Sequence, residues 1–274
     1  MRRFLALLAV LALGGPTLAL AQEAGDDARD GWPRWEFQLG AIDLDADPRV
    51  GIQLGESRPA LVDFTRIGIN DREVSFWGRG IWRFGEKWSL SMNAYTYDKS
   101  ASLLLEEEIE FGDEVFPINA NVESSLGTDI LAVDLNRSLW RSESHDIGLG
   151  FGVHFIDFDI GITATGTAGN MVSVRAERAD FLAPLPNFVA YAEFKPGENW
   201  VWRNRAGWFG LSINEYDGRM LTFLTSIEYR FGERFGLGAG YSGIDLDLDI
   251  EDDRVTEIYR VDYDGPFVFF SLQF

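Results

Sequence analysis

The amino-acid sequence predicts an all-β chain: a transmembrane antiparallel up-and-down β-barrel of ten strands, with roughly eight to twelve strands left open. Three observations favour this fold. The chain ends in a strand with alternate apolar residues and a terminal aromatic. It begins with the pattern of a secretory signal peptide. Between the ends, alternating segments are joined by short turns on one side and by long, acidic loops on the other.

The C-terminal strand is unusual for a soluble protein, because chain termini are usually polar and frayed. Apolar residues at every second position are expected where the closing strand of an outer-membrane barrel faces lipid. The pattern resembles the signal by which the bacterial outer-membrane assembly machinery recognises its clients. The residues expected to carry this assembly signal are Val268, Phe270, Leu272 and Phe274.

The N-terminus has a basic start at Arg2 and Arg3, an apolar stretch over Phe4–Leu20 and a small-x-small cleavage pattern at Ala19–Ala21. A retained membrane anchor is the alternative, but Gly14–Pro16 interrupts the apolar stretch and favours cleavage. We therefore expect Sec-type export into a Gram-negative envelope. The expected organisation is a signal peptide over 1–21, a short periplasmic segment over 22–33 and the barrel over 34–274.

Composition excludes several classes of protein. The chain has no cysteine, so it has neither a disulfide framework nor a lipid-anchored cysteine. The formal net charge of −20 argues against nucleic acid as a partner. No cofactor is expected. The expected partners are outer-membrane lipid and lipopolysaccharide, with the assembly machinery during biogenesis, and the barrel is expected to be a monomer.

Four short polar or glycine-rich turns organise the barrel, at 84–88, 141–146, 195–200 and 231–235. They imply that both termini are periplasmic and that the long loops are extracellular. The predicted strands are 34–44, 73–84, 88–98, 126–140, 146–160, 185–194, 200–213, 219–231, 235–249 and 257–274.

Side-chain parity separates two faces in each strand. In one strand Ile147, Leu149, Phe151, Val153 and Phe155 share a face, and Gly148, Gly150, Gly152 and His154 share the other. A soluble β-sandwich would show the same alternation. Aromatic residues cluster beside the turns, as in the interfacial girdle of a membrane barrel, and this favours the barrel.

The same parity predicts charged residues inside the barrel. One interpretation is a salt-bridge plug that closes and stiffens the lumen, because a barrel of this size has little room beyond its side chains. The alternative is a charged constriction in a narrow, selective pore. The predicted lumen cluster is Glu36, Arg79, Arg83, Asp134, Glu193, Arg203, Arg205, Glu228 and Arg230.

A repeated Ile-Asp-aromatic/aliphatic-Asp motif lies near the loop end of three ascending strands. One hypothesis is a rim that binds Ca²⁺ or Mg²⁺ and bridges to lipopolysaccharide phosphates, since hard cations prefer oxygen ligands. The alternative, which we favour, is solvated strand extensions whose charges discourage aggregation. The aspartates concerned are Asp43, Asp45, Asp157, Asp159, Asp245 and Asp247.

No catalytic motif accompanies the two histidines, His145 and His154. A nucleophile relay requires a base beside a serine and an orienting acid, and no Gly-x-Ser-x-Gly element is present. The sequence therefore predicts that the protein is not an enzyme. Outer-membrane enzymes that act on lipid or peptide share the barrel architecture, so this remains the third hypothesis, after a structural or surface-interaction barrel and a small-solute channel.

The last third of the chain contains Gly240-Tyr241-Ser242-Gly243-Ile244-Asp245-Leu246-Asp247 and then Tyr263-Asp264-Gly265-Pro266, which leads into the strand that ends at Phe274. In these residues it resembles a broad set of small, uncharacterised outer-membrane β-barrel proteins of Gram-negative bacteria. It implies the fold and the location. Because that set has no agreed activity, it implies no active site.

Overall fold

The computed structural model describes residues 31–54, 61–69, 72–111, 114–165, 171–177, 185–213, 216–252 and 255–274. The predicted signal peptide and most of the predicted periplasmic segment lie outside these residues. Within the described part, no helix has the length and hydropathy to span a membrane. The strands are β1 Trp35–Leu54, β2 Val62–Asp63, β3 Glu73–Phe84, β4 Trp88–Leu104, β5 Ile109–Phe111, β6 Glu114–Phe116, β7 Asn121–Arg141, β8 His145–Thr165, β9 Met171–Glu177, β10 Leu185–Phe194, β11 Trp200–Ile213, β12 Tyr216–Phe231, β13 Phe235–Asp252 and β14 Val255–Gln273; a 3-10 helix spans Phe64–Ile67.

The main sheet closes on itself. Each long strand pairs antiparallel with the next one along the chain, and β14 returns to pair with β1 from Gln273 opposite Glu36 to Val255 opposite Leu54. Strands β9 and β10 pair with successive parts of β8, so together they occupy one position in the ring. Among the described strands the ring therefore has ten positions, and the predicted antiparallel barrel is confirmed.

Most strands are longer than predicted, chiefly at the end away from the short turns. Strand β1 continues to Leu54 rather than residue 44, and β7 begins at Asn121 rather than residue 126. Parts of the predicted long loops are therefore barrel wall. Other parts form β2, the 3-10 helix and the β5–β6 hairpin. The sequence pattern concealed these extensions because the chemistry of the two faces changes along each strand.

That change is clearest along β8. From Ile147 to Phe155 the odd positions are apolar and face outward, with Leu149 and Phe151 about half exposed. At Asp157 the outward face becomes acidic. The apolar part spans about nine residues, which matches the roughly 9–11 residues that a tilted strand needs to cross a bilayer. The outward face changes in the same way at Asp43, Asp98, Asp129, Asp245 and Asp264 on other strands.

Above this level the inward face becomes apolar. On β8 the inward residues Ile156, Phe158, Ile160 and Ile162 are buried in one hydrophobic cluster. The barrel is therefore polar inside and apolar outside near the short turns, and it has the reverse arrangement, typical of a soluble barrel, near the loops. The side-chain parity is continuous throughout.

Glycine substitutions test the tightness of the inner wall. A Cβ added to inward-facing Gly152 would overlap Asp134 Oδ1 and lie 2.5 Å from the backbone oxygen of Val133. We expect Gly152→Ala to lower the free energy of unfolding by about 1–3 kcal/mol, the cost of overpacking, in urea titrations of the barrel in lipid vesicles. Gly80→Ala is the matched control, because a Cβ there meets only the Phe37 ring at 3.8 Å. Equal effects of the two substitutions would contradict this packing.

The membrane boundary is testable on β4. Met92 lies on the apolar outward face, whereas exposed Ser100 lies beyond Asp98 on the same strand and the same face. Met92→Lys should cost about 2–4 kcal/mol of folding free energy in vesicles, as expected for a cation near the bilayer midplane. Ser100→Lys should cost less than about 1 kcal/mol. If both variants lost the same stability, the boundary would not lie at the aspartates.

Candidate functional site

The structure places all nine residues of the predicted lumen cluster on the inner face of the ring. Eight are buried, and the Arg205 side chain is 16% exposed. They belong to β1, β3, β7, β10, β11 and β12, and lie toward the short-turn end of the barrel. Strand closure brings them together, because inward side chains from all sides of the ring share one narrow space.

Glu36 on β1 is the centre of the cluster and is fully buried. Its carboxylate accepts a hydrogen bond from Arg203, and it also contacts Arg83 at 3.4 Å and Arg230 at 3.5 Å. Gln38 donates a further hydrogen bond to it at 2.7 Å. A buried carboxylate is costly unless it is paired and hydrogen-bonded, and Glu36 satisfies both conditions.

Two further glutamates extend the network around Glu36. Glu228 accepts from Arg203 at 2.5 Å, from Arg230 at 3.3 Å and from the Ser271 hydroxyl at 2.6 Å. Glu193 binds Arg83 at 2.8 Å. The network thus connects strands on opposite sides of the ring through charge-assisted contacts, which fixes their relative positions.

Space for these long side chains comes from glycines on neighbouring strands. Across the last short turn, the strand register places Gly236 opposite Arg230 and Gly238 opposite Glu228. A Cβ at Gly236 would overlap the carboxylate of Glu228. The glycines are therefore part of the packing of the nine-residue lumen cluster, which we call the charged layer.

Sequence reasoning missed a second ion pair in the lumen. Arg141 and Asp146 lie at the ends of a short turn, and their side chains meet at 2.8 Å with 2% exposure each. Tyr191 donates to Asp146 at 3.3 Å. The two residues end the predicted turn 141–146, and the inward face of the predicted strand 146–160 was traced only from Gly148. Extending the alternation from Gly148 back to Asp146 would have found the acid.

Trp32 closes the end of the barrel near the short turns. Its side chain is fully buried, and its indole nitrogen donates to the backbone oxygen of Ser142 at 2.8 Å. The Arg83 guanidinium and the Lys195 ammonium lie over the ring, at 5.4 and 4.2 Å from its centroid. Burial, followed by the charges of Arg230 and Arg83, lowers the pKa of Lys195 in its turn to about 8. Trp32, near the end of the predicted periplasmic segment, is thus buried at the lower end of the barrel, a position that the composition of the segment did not indicate.

The opposite end is filled by apolar side chains. Asp63 caps the 3-10 helix by accepting from the Thr65 amide at 2.9 Å. Phe64 and Ile67 are fully buried and pack against the inner faces of β1, β4 and β7. Ser124 fixes the helix by donating to the backbone oxygen of Ile67 at 2.8 Å. Below it, Trp77 stacks on Phe267 with ring centroids 4.4 Å apart.

The aspartates of the predicted rim face outward at the boundary level. Several are paired with arginine: Arg72 lies 3.5 Å from Asp43 and 3.6 Å from Asp45, and Asp247 meets Arg219 at 2.5 Å and Arg260 at 3.2 Å. Among the described residues, no group of three or more acidic or histidine side chains is arranged to hold a metal ion. Asp43, Asp45 and Asp247 are therefore arginine-paired, and the divalent-cation rim stays a prediction.

The two histidines lie far apart in the fold. His154 is buried in the lumen, on the same inward face as the β8 glycines. His145 lies at the start of β8, where its Nδ1 is 3.1 Å from the Ser142 hydroxyl and its ring packs edge-on against Trp140 at 4.2 Å. In the described part of the chain, neither imidazole is hydrogen-bonded to the orienting acid that a nucleophile relay requires.

Comparison with solved structures places the chain among outer-membrane β-barrel folds. The outer membrane protease OmpT of Escherichia coli matches with a TM-score of 0.54 and 8% sequence identity, over 88% of this chain and 96% of that one. Ail of Yersinia pestis (TM-score 0.35, 9% identity, 88% and 97% coverage) and OprG of Pseudomonas aeruginosa (0.31, 13%, 89% and 98%) match more weakly. No protein-family model and no curated protein matches the sequence. At this level of identity the comparison shows the fold alone.

Neutralising a buried carboxylate of the charged layer should cost much more folding stability than neutralising an exposed carboxylate. Glu36→Gln removes the charge on which three arginines converge, so we expect it to lower the free energy of unfolding by about 3–5 kcal/mol. The measurement is a urea titration in lipid vesicles. Asp47→Asn is the control, because its partner Arg49 is about half exposed and such pairs contribute about 0–1 kcal/mol. A tolerated Glu36→Gln would mean that the network does not hold the ring together.

Proposed function

We propose that this protein is an outer-membrane β-barrel with a plugged lumen, and that its role is structural or surface-interacting rather than transport. The observation that carries the proposal is the filling of the lumen at three successive levels. Trp32 lies at the short-turn end, the charged layer of Glu36 and its arginines lies above it, and an apolar core capped by the 3-10 helix fills the loop end.

The outer surface supports an outer-membrane location. A continuous outward belt of apolar and aromatic residues surrounds the short-turn half of the wall, and Val268, Phe270 and Phe274 belong to it. Such a belt on a soluble protein would be a large exposed apolar patch, which is rare. Lipid, with lipopolysaccharide in the outer leaflet, is the partner that fits it, and the C-terminal residues are the proposed assembly signal for a monomeric barrel.

The height of the wall supports a role at the cell surface. Strands β7 and β8 each contain 21 residues, roughly twice the length of a membrane-crossing strand. Their upper halves carry the acidic outward face and enclose the apolar core, so they would stand beyond the outer leaflet as a rigid platform. Loops placed on a rigid scaffold are common sites of recognition.

Transport through the lumen would require several buried groups to move together. Arg203 contacts Glu36 and Glu228, so its displacement would leave buried carboxylates without their closest partner. Passage of a solute through the upper part of the lumen would also require displacement of Trp77 and Phe267 from the apolar core. A narrow channel is therefore the less favoured hypothesis, and catalysis is not proposed.

Planar-bilayer recordings test the plugged lumen. The purified full-length barrel should give no stable conductance steps, because each of the three levels blocks the path. The Trp32→Ala variant should also give no stable conductance steps, since it removes only the side chain at the short-turn end and leaves the charged layer and the apolar core in place. Heat-modifiable migration on SDS gels provides the control for folding and insertion.

Stable wild-type steps whose size changes in Arg203→Ala would contradict the plug and establish a pore through the charged layer. Hydrolysis of lipid or peptide by the wild type that is lost in His154→Ala would instead support an enzyme.

A further inference from the structure

The charged layer contains one arginine more than it has carboxylates. Among the described residues, the buried acids of the lower lumen are Glu36, Asp134, Asp146, Glu193 and Glu228, and the arginines that face them are Arg79, Arg83, Arg141, Arg203, Arg205 and Arg230. One positive charge is therefore left without a matching negative charge in a water-poor interior.

The uncompensated group is Arg79. Its nearest carboxylate is Glu193, at 4.0 Å, and that carboxylate already binds Arg83 at 2.8 Å. Arg205 and Arg141 also have their own acids, Asp134 at 2.7 Å and Asp146 at 2.8 Å. The Arg79 side chain is only 6% exposed, and its Nη1 has no hydrogen-bond partner in the described part of the chain.

A small polar cavity lies beside this guanidinium. It has a volume of about 10 Å³ and is lined by Arg79, Arg83, Arg205, Asp146 and Glu193, with Ser89, Ser91, Asn136, Tyr191 and Ile81 completing the wall. The three guanidiniums exceed the two carboxylates by one charge. Hydroxyl and amide groups on the wall provide further donors.

We propose that this cavity binds one small monovalent anion, of the chloride class, against Arg79. An anion here supplies the missing charge and an acceptor for Nη1, so it removes the cost of an unpaired buried cation. The small volume of the cavity favours a single monatomic anion over the larger phosphate and sulfate ions. The two lining carboxylates do not prevent binding, because each is held by its own arginine at 2.8 Å.

The anion is a structural ligand, and its effect should appear in stability. A ligand that binds only the folded state raises the free energy of unfolding with its concentration and then saturates near site occupancy. The wild-type barrel in detergent should therefore have a higher unfolding midpoint in sodium chloride than in sodium gluconate of equal ionic strength. Gluconate is too large for the cavity.

Three variants isolate the site. Arg79→Gln should lose the difference between the two salts, whereas Arg49→Gln, which changes an exposed arginine paired with Asp47, should retain it. Ser89→Asp places a carboxylate in the cavity wall, between Arg83 and Asn136 in the strand register. It should also lose the chloride dependence, and it keeps the proposal testable if Arg79→Gln does not fold.

Crystals soaked in bromide provide a direct observation. An anomalous peak within hydrogen-bond distance of Arg79 Nη1, absent in Ser89→Asp, would support the proposal. A cavity that holds only water, or a chloride effect that persists in both Arg79→Gln and Ser89→Asp, would overturn it.

Discussion

Closure of the hydrogen-bonded ring is the constraint on which the rest of this structure depends. Once β14 pairs with β1, the long strands form a closed ring, and every inward side chain must share a lumen with those of the other strands. The volumes and the charges of the inward side chains must then be compatible across all strands of the ring. A buried charge on one strand must be paired with an opposite charge on another strand. Glu36 of β1, for example, is paired with Arg203 of β11 and Arg83 of β3.

The charged layer and the glycines are two parts of one packing solution. Some of the long polar side chains of the lower lumen lie beside positions on neighbouring strands that carry no side chain. Inward glycines on β8 and β13 provide this space: Gly150 lies against Asn136, and Gly236 lies against Glu228. Since each glycine contributes volume for a residue on a different strand, loss of either member of such a pair affects the packing of both strands.

The second organising feature is the reversal of the two faces at the level of the outward aspartates. Below it, lipid selects apolar residues outside, and the enclosed charges pair with one another. Above it, water is outside, so the same parity places Asp157 and Asp159 outward and Ile156 and Phe158 in a core. The Ile-Asp-Phe-Asp segment thus marks a change of solvent along one strand, and a metal-binding role is unnecessary to account for its composition.

The sequence by itself determined the fold class, the short turns, the register parity and the nine inward charges, because a period of two is a local property that each strand carries in its own residues. It did not determine the upper parts of the strands, where the face reversal removes the apolar alternation that identified the lower parts. It also missed Trp32, which lies in a segment with no repeating pattern, and the Arg141–Asp146 pair, which lies at the two ends of a predicted turn. Which arginine meets which acid, and that Arg79 is left over, depends on distances across the ring, and only the tertiary structure decides these.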